Sequence, residues 1–280
     1  MIPNIFHFIY FTPEQAPAKV FPLSYYLAVE SARVINQPQE IIFHFNREPV
    51  GEWWERIKPS LTLHQMEAPV SFMGRRIIHP AHQADVVRLQ ALYEVGGIYL
   101  DLDTICVKPL SAFYTNQMVM GLELKAPYVP KNKRQEIKYK IRKTLGLVKP
   151  YREESILCNG VILAEKNSAF IKLWMDTYKT FRSKGRDKFW NEHSSVIPAK
   201  LAAAHPQLIT VAGPRCFHYP LYTKEGLHSM FEAVTPFPES YIHHVWESFS
   251  WNDYLSKLTM EGIQTIDTTY HLAARKILSK

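Results

Sequence analysis

Between residues 81 and 103 the chain shows a pattern that few folds can accommodate. Apolar residues recur at helical spacing from 81 to 95, Gly96-Gly97 ends the run, and Ile98-Tyr99-Leu100 leads directly into Asp101-Leu102-Asp103. Glycine stops a helix because it takes the left-handed backbone that ends one without steric cost. A strand this short and wholly apolar is stable only when both of its faces are covered, as in the middle of a sheet layered with helices. The two acids then project from the carboxyl end of a central strand, where open α/β sheets gather their ligands.

The upstream chain keeps the same rhythm. Ile5–Tyr10 reads as a buried strand, Ser24 is placed to cap a helix running to about residue 35, and Glu40–Phe45 is a second strand. Residues 61–66 (LTLHQM) alternate apolar and polar, as a half-exposed strand does, and a helix is expected from about 81 to 95. Strands alternating with helices predict a largely parallel sheet covered on both faces. The expectation is one domain over residues 1–280 with a basic insertion at about 129–152. At 46% hydrophobic and 21% charged, the composition excludes a disordered or collagenous chain. The three cysteines (Cys106, Cys158, Cys216) form no CxxC pair, which argues against a disulfide scaffold or a cysteine-held zinc. A reducing cytosol fits best. The first lysine is Lys19, and no apolar run is long enough to span a bilayer. A cytoplasmic protein is expected, soluble or peripheral at the inner face of a membrane.

Charge is segregated. Residues 131–152 hold nine basic residues and one acid, a surplus of eight, so the rest of the chain sums to −1 against the overall +7. A surface-wide footprint for nucleic acid is therefore not expected. Within that segment Ile137, Ile141 and Leu145 recur every four residues among Lys138, Lys140, Arg142 and Lys143, the pattern of a basic amphipathic helix. Two readings stay open: a helix lying on an anionic membrane surface, or a solvated helix packed on the domain by its isoleucines.

A D-x-D at a strand end supplies the hard oxygen ligands that Mg²⁺ or Mn²⁺ prefers alongside substrate phosphates; the alternative is two acids in a solvated turn. Leu89 and Leu92 mark the apolar stripe of the preceding helix, and Asp85 and Arg88 fall on the same side. They are either a local ion pair, three residues apart, or groups reaching the pocket to bond the hydroxyls of a polar ligand.

Residues 84–110 (ADVVRLQALYEVGGIYLDLDTICVKPL) resemble the signature of the D-x-D sugar transferases of glycosyltransferase family 32. The resemblance implies a GT-A fold: a Rossmann-type α/β sandwich with a mostly parallel central sheet. It also implies a divalent cation (Mn²⁺ or Mg²⁺), a nucleotide-sugar donor with UDP favoured, and retention of anomeric configuration. On that resemblance Asp101, Asp103, Asp85 and Arg88 carry the reaction, and His244, in His243-His244-Val245-Trp246, completes a metal shell with Asp101 and Asp103. Phe8, Ile9 and Tyr10 end the first strand, where the family usually places Trp in the position of Tyr10 and meets the nucleotide base. Tyr99 joins the nucleotide-binding set. Asn159, with Gly160 opening the strand-like NGVILAE, lies near the donor sugar, and Trp246 closes over the phosphates. Local alternatives remain: Tyr10 and His243 as core residues, Asn159 as a turn cap, Trp251 as an anchor for the last helix. The implied reaction moves a hexose to a hydroxyl of a surface glycan or lipid-linked saccharide. A toxin-like transferase modifying a protein would share every site residue, and a non-catalytic, cation-dependent sugar-binding module is the rival from another class.

Overall fold

The computed structural model describes residues 1–13, 16–124, 133–147 and 155–280. Along the first half run β1 (Ile5–Tyr10), α1 (Leu23–Asn36), β2 (Glu40–Phe45), α2 (Glu52–Ile57), β3 (Thr62–Gln65) and the small hairpin β4–β5 (Ser71–Phe72, Arg75–Arg76). Then come α3 (Pro80–Glu94), β6 (Gly97–Leu100), β7 (Thr104–Cys106), β8 (Met118–Leu124) and α4 (Lys133–Thr144). β9 (Ser155–Ala164), α5 (Ala169–Asp176), β10 (Thr210–Ala212), β11 (Ile242–His244) and a C-terminal helix, Thr269–Leu278, complete the frame. No helix of the described residues is long and apolar enough to cross a membrane.

Seven strands form the central sheet in the order β10-β8-β9-β6-β1-β2-β3. β6, β1, β2 and β3 are parallel, β9 is antiparallel to both β6 and β8, and β10 is parallel to β8. All strands but β9 therefore run one way, and the carboxyl ends of β1, β6 and β8 share an edge. Alternation along the strands sorts the core into two layers. Phe6 and Phe8 of β1 and Ile98 and Leu100 of β6 pack with α1 and the C-terminal helix. Ile9 and Tyr99 point the other way, into a layer with α3 and α5. The result is the α/β/α sandwich with a mostly parallel sheet that the sequence predicts.

β6 lies against β1 because Gly97 has no side chain. Its φ is +113°, and a Cβ there would stand 2.3 Å from the Ile5 carbonyl oxygen.

Three local expectations change. α1 starts at Leu23 with Pro22 at its N-cap, so Ser24 does not cap it; the Ser24 hydroxyl is buried without a partner. β3 is exposed along all four residues, being the sheet's edge strand. Asn159-Gly160 lies inside β9 and does not open it. Met120 pairs Ile162, yet the next residue, Gly121, pairs Cys158, so residues 159–161 bulge out of the pairing with β8. A bulge breaks the two-residue period, which is why the first half of β9 carries no alternation to read. The basic helix is present as α4; Lys131, Lys149 and Arg152 of that segment lie outside the described residues.

Candidate active site

Tyr99 points into the α3 layer, and Asp101 follows it onto the same side. The Tyr99 hydroxyl donates to Asp101 Oδ1 at 2.5 Å. α3 brings Arg88 to meet them. Its guanidinium lies over the Tyr99 ring, 4.2 Å from the centroid, and 3.3 Å from both Asp101 Oδ1 and Asp85 Oδ1. Arg88 Nη1 also donates to the Asn159 carbonyl at 2.7 Å, while the Asn159 amide donates to Asp85 Oδ1 at 2.7 Å. His82 Nδ1 stands 3.3 Å from Asp85 Oδ2. Arg88 is thus ion-paired with Asp85, as the first reading of the pair expects, and it also lines the cleft. Asp85 sits behind it with its oxygens engaged.

These contacts set the charge states. Burial alone would push the Asp85 carboxyl up, but Arg88, His82 and Asn159 hold it below the usual value. Burial opposes the Arg88 charge as well, and Tyr99, Asp101 and Asp85 more than restore it. Asp101 ends raised, because burial and neighbouring Asp103 outweigh Arg88.

His244 arrives from β11, which pairs antiparallel with β7 immediately after the two acids. Its Nε2 lies 3.6 Å from Asp103 Oδ1, and one ligand atom each from Asp101, Asp103 and His244 fall within 4.8 Å of one another. His244 Nδ1 is buried without a hydrogen-bond partner. Asp103 Oδ2 accepts from the Glu247 amide at 2.8 Å, which fixes the carboxylate's orientation. Gly160 at the β9 bulge forms the wall: a Cβ there would stand 2.8 Å from Asp101 Oδ2 and 3.2 Å from His244 Nε2. Two carboxylates and an imidazole whose Nε2 faces them fit Mn²⁺ or Mg²⁺ as a donor set.

The acids open onto a cleft of about 680 Å³ also lined by Ile9, Tyr10, Arg88 and Tyr99. A second cavity of about 710 Å³ adjoins it, sharing Thr12 and Pro80. Two expected nucleotide contacts are corrected here. Phe8 is fully buried in the α1 layer: it shares a face of β1 with Tyr10 but lies two residues short of the strand end, where Tyr10 reaches the cleft. Trp246 donates its indole N–H to the Pro220 carbonyl at 2.7 Å and rests on the His244 ring, 4.1 Å between centroids. It braces His244; the tryptophan in the cleft wall is Trp251.

Lys19, Tyr25 and Glu247 also line the cleft, and sequence reasoning missed them. Tyr25 donates to Glu247 Oε1 at 2.8 Å. Burial raises the Glu247 carboxyl, and Asp103 and Asp101 add to this against the Tyr25 bond. Lys19 lies in a proline-flanked loop with no motif around it. Glu247 had a faint signal in following Trp246 directly.

Residues 25–122 match the model of the glycosyltransferase sugar-binding region containing the DXD motif. The chain is 32% identical over 288 residues to glucan organizing enzyme 1 of Cryptococcus neoformans var. grubii, a match covering 99% of this chain and 71% of that protein. It is 25% identical to the glycosyltransferase afumC of Aspergillus fumigatus, over 58% of this chain and 42% of that one. Among solved structures, the apo bifunctional glycosyltransferase WbbM is similar in fold, with a TM-score of 0.50 at 12% identity over 99% of this chain and 52% of that chain.

Proposed function

The chain belongs to the glycosyltransferases whose sugar-binding region carries the DXD motif, and from that premise we propose that it moves a hexose from a UDP-sugar to a glycan hydroxyl with Mn²⁺ held by Asp101, Asp103 and His244. That it is a glycosyltransferase of GT-A architecture, with a nucleotide-sugar donor and a glycan acceptor, follows from the family and the sheet. The choice of ion, base and acceptor is our reading.

One observation carries it. Asp101, Asp103 and His244 converge within 4.8 Å beside a cleft that also presents Arg88 and Tyr10. A divalent cation bound there supplies positive charge against the diphosphate as it departs. The remaining work falls to the chain's own groups. The Glu247 amide keeps Asp103 Oδ1 turned towards His244. Arg88, fixed by Asp85, Asp101, the Asn159 carbonyl and the Tyr99 ring, offers a rigid guanidinium to the donor's hydroxyls. Tyr10 provides a ring for the base to stack on, and Lys19 adds a second cation at the cleft wall. Retention, which the resemblance implies, would need no enzymic nucleophile by a front-face route. The acceptor oxygen bonds the anomeric carbon on the face the phosphate leaves, and the phosphate oxygen takes the acceptor proton.

The adjoining cavities give room for donor and acceptor together. The name of the fungal relative points to glucan, which supports a glycan acceptor; that the glycan is a surface glycan or a lipid-linked saccharide is our reading. Incubation with a panel of UDP- and GDP-hexoses, with Mn²⁺, Mg²⁺ or chelator, tests the proposal by the nucleotide released. UDP from a UDP-hexose, dependent on Mn²⁺, is the expected product. No nucleotide from any donor with either ion would overturn it.

A further inference from the structure

We propose that α4 is a docking helix for an anionic lipid surface, with Ile137 and Ile141 entering the interface and the flanking basic residues on the headgroup phosphates. The orientation of the helix carries the inference. Ile137 is 60% exposed and Ile141 55%, and Leu145 and Leu147 just beyond the helix are as open. Tyr139 alone among the described α4 side chains is half-buried. At about 100° per residue the two isoleucines lie about 40° apart, with Tyr139 on the opposite side. The cover that the helix has is therefore on its Tyr139 side, and its apolar stripe is turned outward. Of the two readings the sequence left open, packing by the isoleucines is the one this orientation opposes.

The same rotation places Lys133, Arg134, Lys138 and Lys140 within about 80° of the midline of the stripe, on both sides of it. Glu136, the helix's one acid, is neutralised by Lys140 at 2.7 Å. Apolar centre and basic flanks need one partner that satisfies both. A soluble polyanion would leave the isoleucines wet, and an apolar protein groove would leave the charge surplus uncompensated. An anionic bilayer offers an acyl boundary under a layer of phosphates, which suits both. α4 lies in the connection between β8 and β9, and β8 ends at the sheet edge where Asp101 and Asp103 project. Docking there would serve a lipid-linked acceptor, a consequence that rests on the transferase reading above; the docking itself does not.

Sedimentation of the full chain with phosphatidylcholine vesicles, with and without phosphatidylserine, tests the docking. Binding is expected only with phosphatidylserine, and should fall as salt rises and the Debye length shrinks from about 10 Å at 0.1 M to about 3 Å at 1 M. Ile137→Ser with Ile141→Ser, and separately Lys133→Glu, Arg134→Glu, Lys138→Glu and Lys140→Glu together, should each weaken binding by at least about tenfold. Melting and Mn²⁺-dependent donor hydrolysis should stay as in the native chain. No binding at low salt, equal binding to both vesicles, or isoleucine variants that bind like native protein would each overturn the proposal. Absence of donor hydrolysis in the native chain would count against the transferase reading and leave the vesicle result standing.

Discussion

Arg88 is 6% exposed and lies 3.3 Å from each of two carboxylates. Its removal would leave acids facing one another in a poorly solvated layer, so Arg88→Ala should cost about 3–5 kcal/mol, read from the urea midpoint. Arg88→Lys keeps the charge and gives up the planar fork that spans Asp85, Asp101 and the Asn159 carbonyl. It should recover much of the stability and little of the donor turnover. Equal recovery of both would mean that Arg88 only balances charge. Asp103 behaves differently, because its neighbours orient it without depending on it for packing. Asp103→Asn should lower Mn²⁺-dependent donor hydrolysis by more than about a hundredfold, since even outer partners of a ligand cost 10–100-fold. Its melting temperature without donor should stay near the native value. Near-native turnover would remove Asp103 from the metal site.

At the scale of elements, two glycines separate the fold's needs from those of the chemistry. A methyl on Gly160 would meet Asp101 Oδ2 at 2.8 Å, the end of a side chain and not backbone, which can shift at the expense of its contacts with Tyr99 and Arg88. Gly160→Ala should therefore cost no more than about 1–3 kcal/mol, typical of overpacking, while Mn²⁺ affinity and turnover collapse together. Calorimetric titration of Mn²⁺ with UDP, beside a melting curve, shows whether they part. A methyl on Gly97 would stand 2.3 Å from the backbone oxygen of Ile5, which cannot move without separating β6 from β1. Gly97→Ala should lose about 4 kcal/mol or more, beyond the range of ordinary substitutions. A melting point within a few degrees of native would show that the strands tolerate separation.

Across the whole molecule, a row of histidines makes stability depend on pH. His64 Nδ1 meets His44 Nδ1 at 2.9 Å, His44 Nε2 meets His7 Nδ1 at 3.1 Å, and His7 Nε2 donates to the Gly96 carbonyl at 2.9 Å, so the row crosses β3, β2 and β1. Burial pushes His7 down and His44 down to about 3. Below the ordinary imidazole value of about 6.5, the unfolded chain takes up protons that the folded one refuses. Stability present at neutral pH is therefore lost as pH falls from about 6.5 towards about 3. The urea midpoint should drop between about pH 7 and pH 5, with a shallower slope in His44→Asn. A midpoint flat over that range would show that the row does not resist protonation.

What the residues determine alone is what near neighbours decide. Gly96-Gly97 stops α3, the apolar alternation sends Tyr99 and Asp101 towards the α3 layer, and helical spacing puts Asp85 and Arg88 on the buried side of α3. The α/β rhythm and the DXD edge were legible for that reason. The rest depends on contacts between distant segments. His244 reaches the acids only because β11 pairs with β7, and no spacing in the chain announces that register. The β9 bulge that seats Gly160 against Asp101 leaves composition untouched and shows only once β8 is beside it. Lys19 joins the cleft through a loop and Glu247 at the start of a four-residue helix, neither long enough to carry a period. Phe8 and Tyr10 share one face of β1, so only the segments packed around the strand decide that Phe8 is buried and Tyr10 reaches the cleft. The basic helix shows the same division: periodicity establishes that an apolar stripe exists, but only the folded chain shows that the stripe is exposed while Tyr139, on the opposite side, is half-buried.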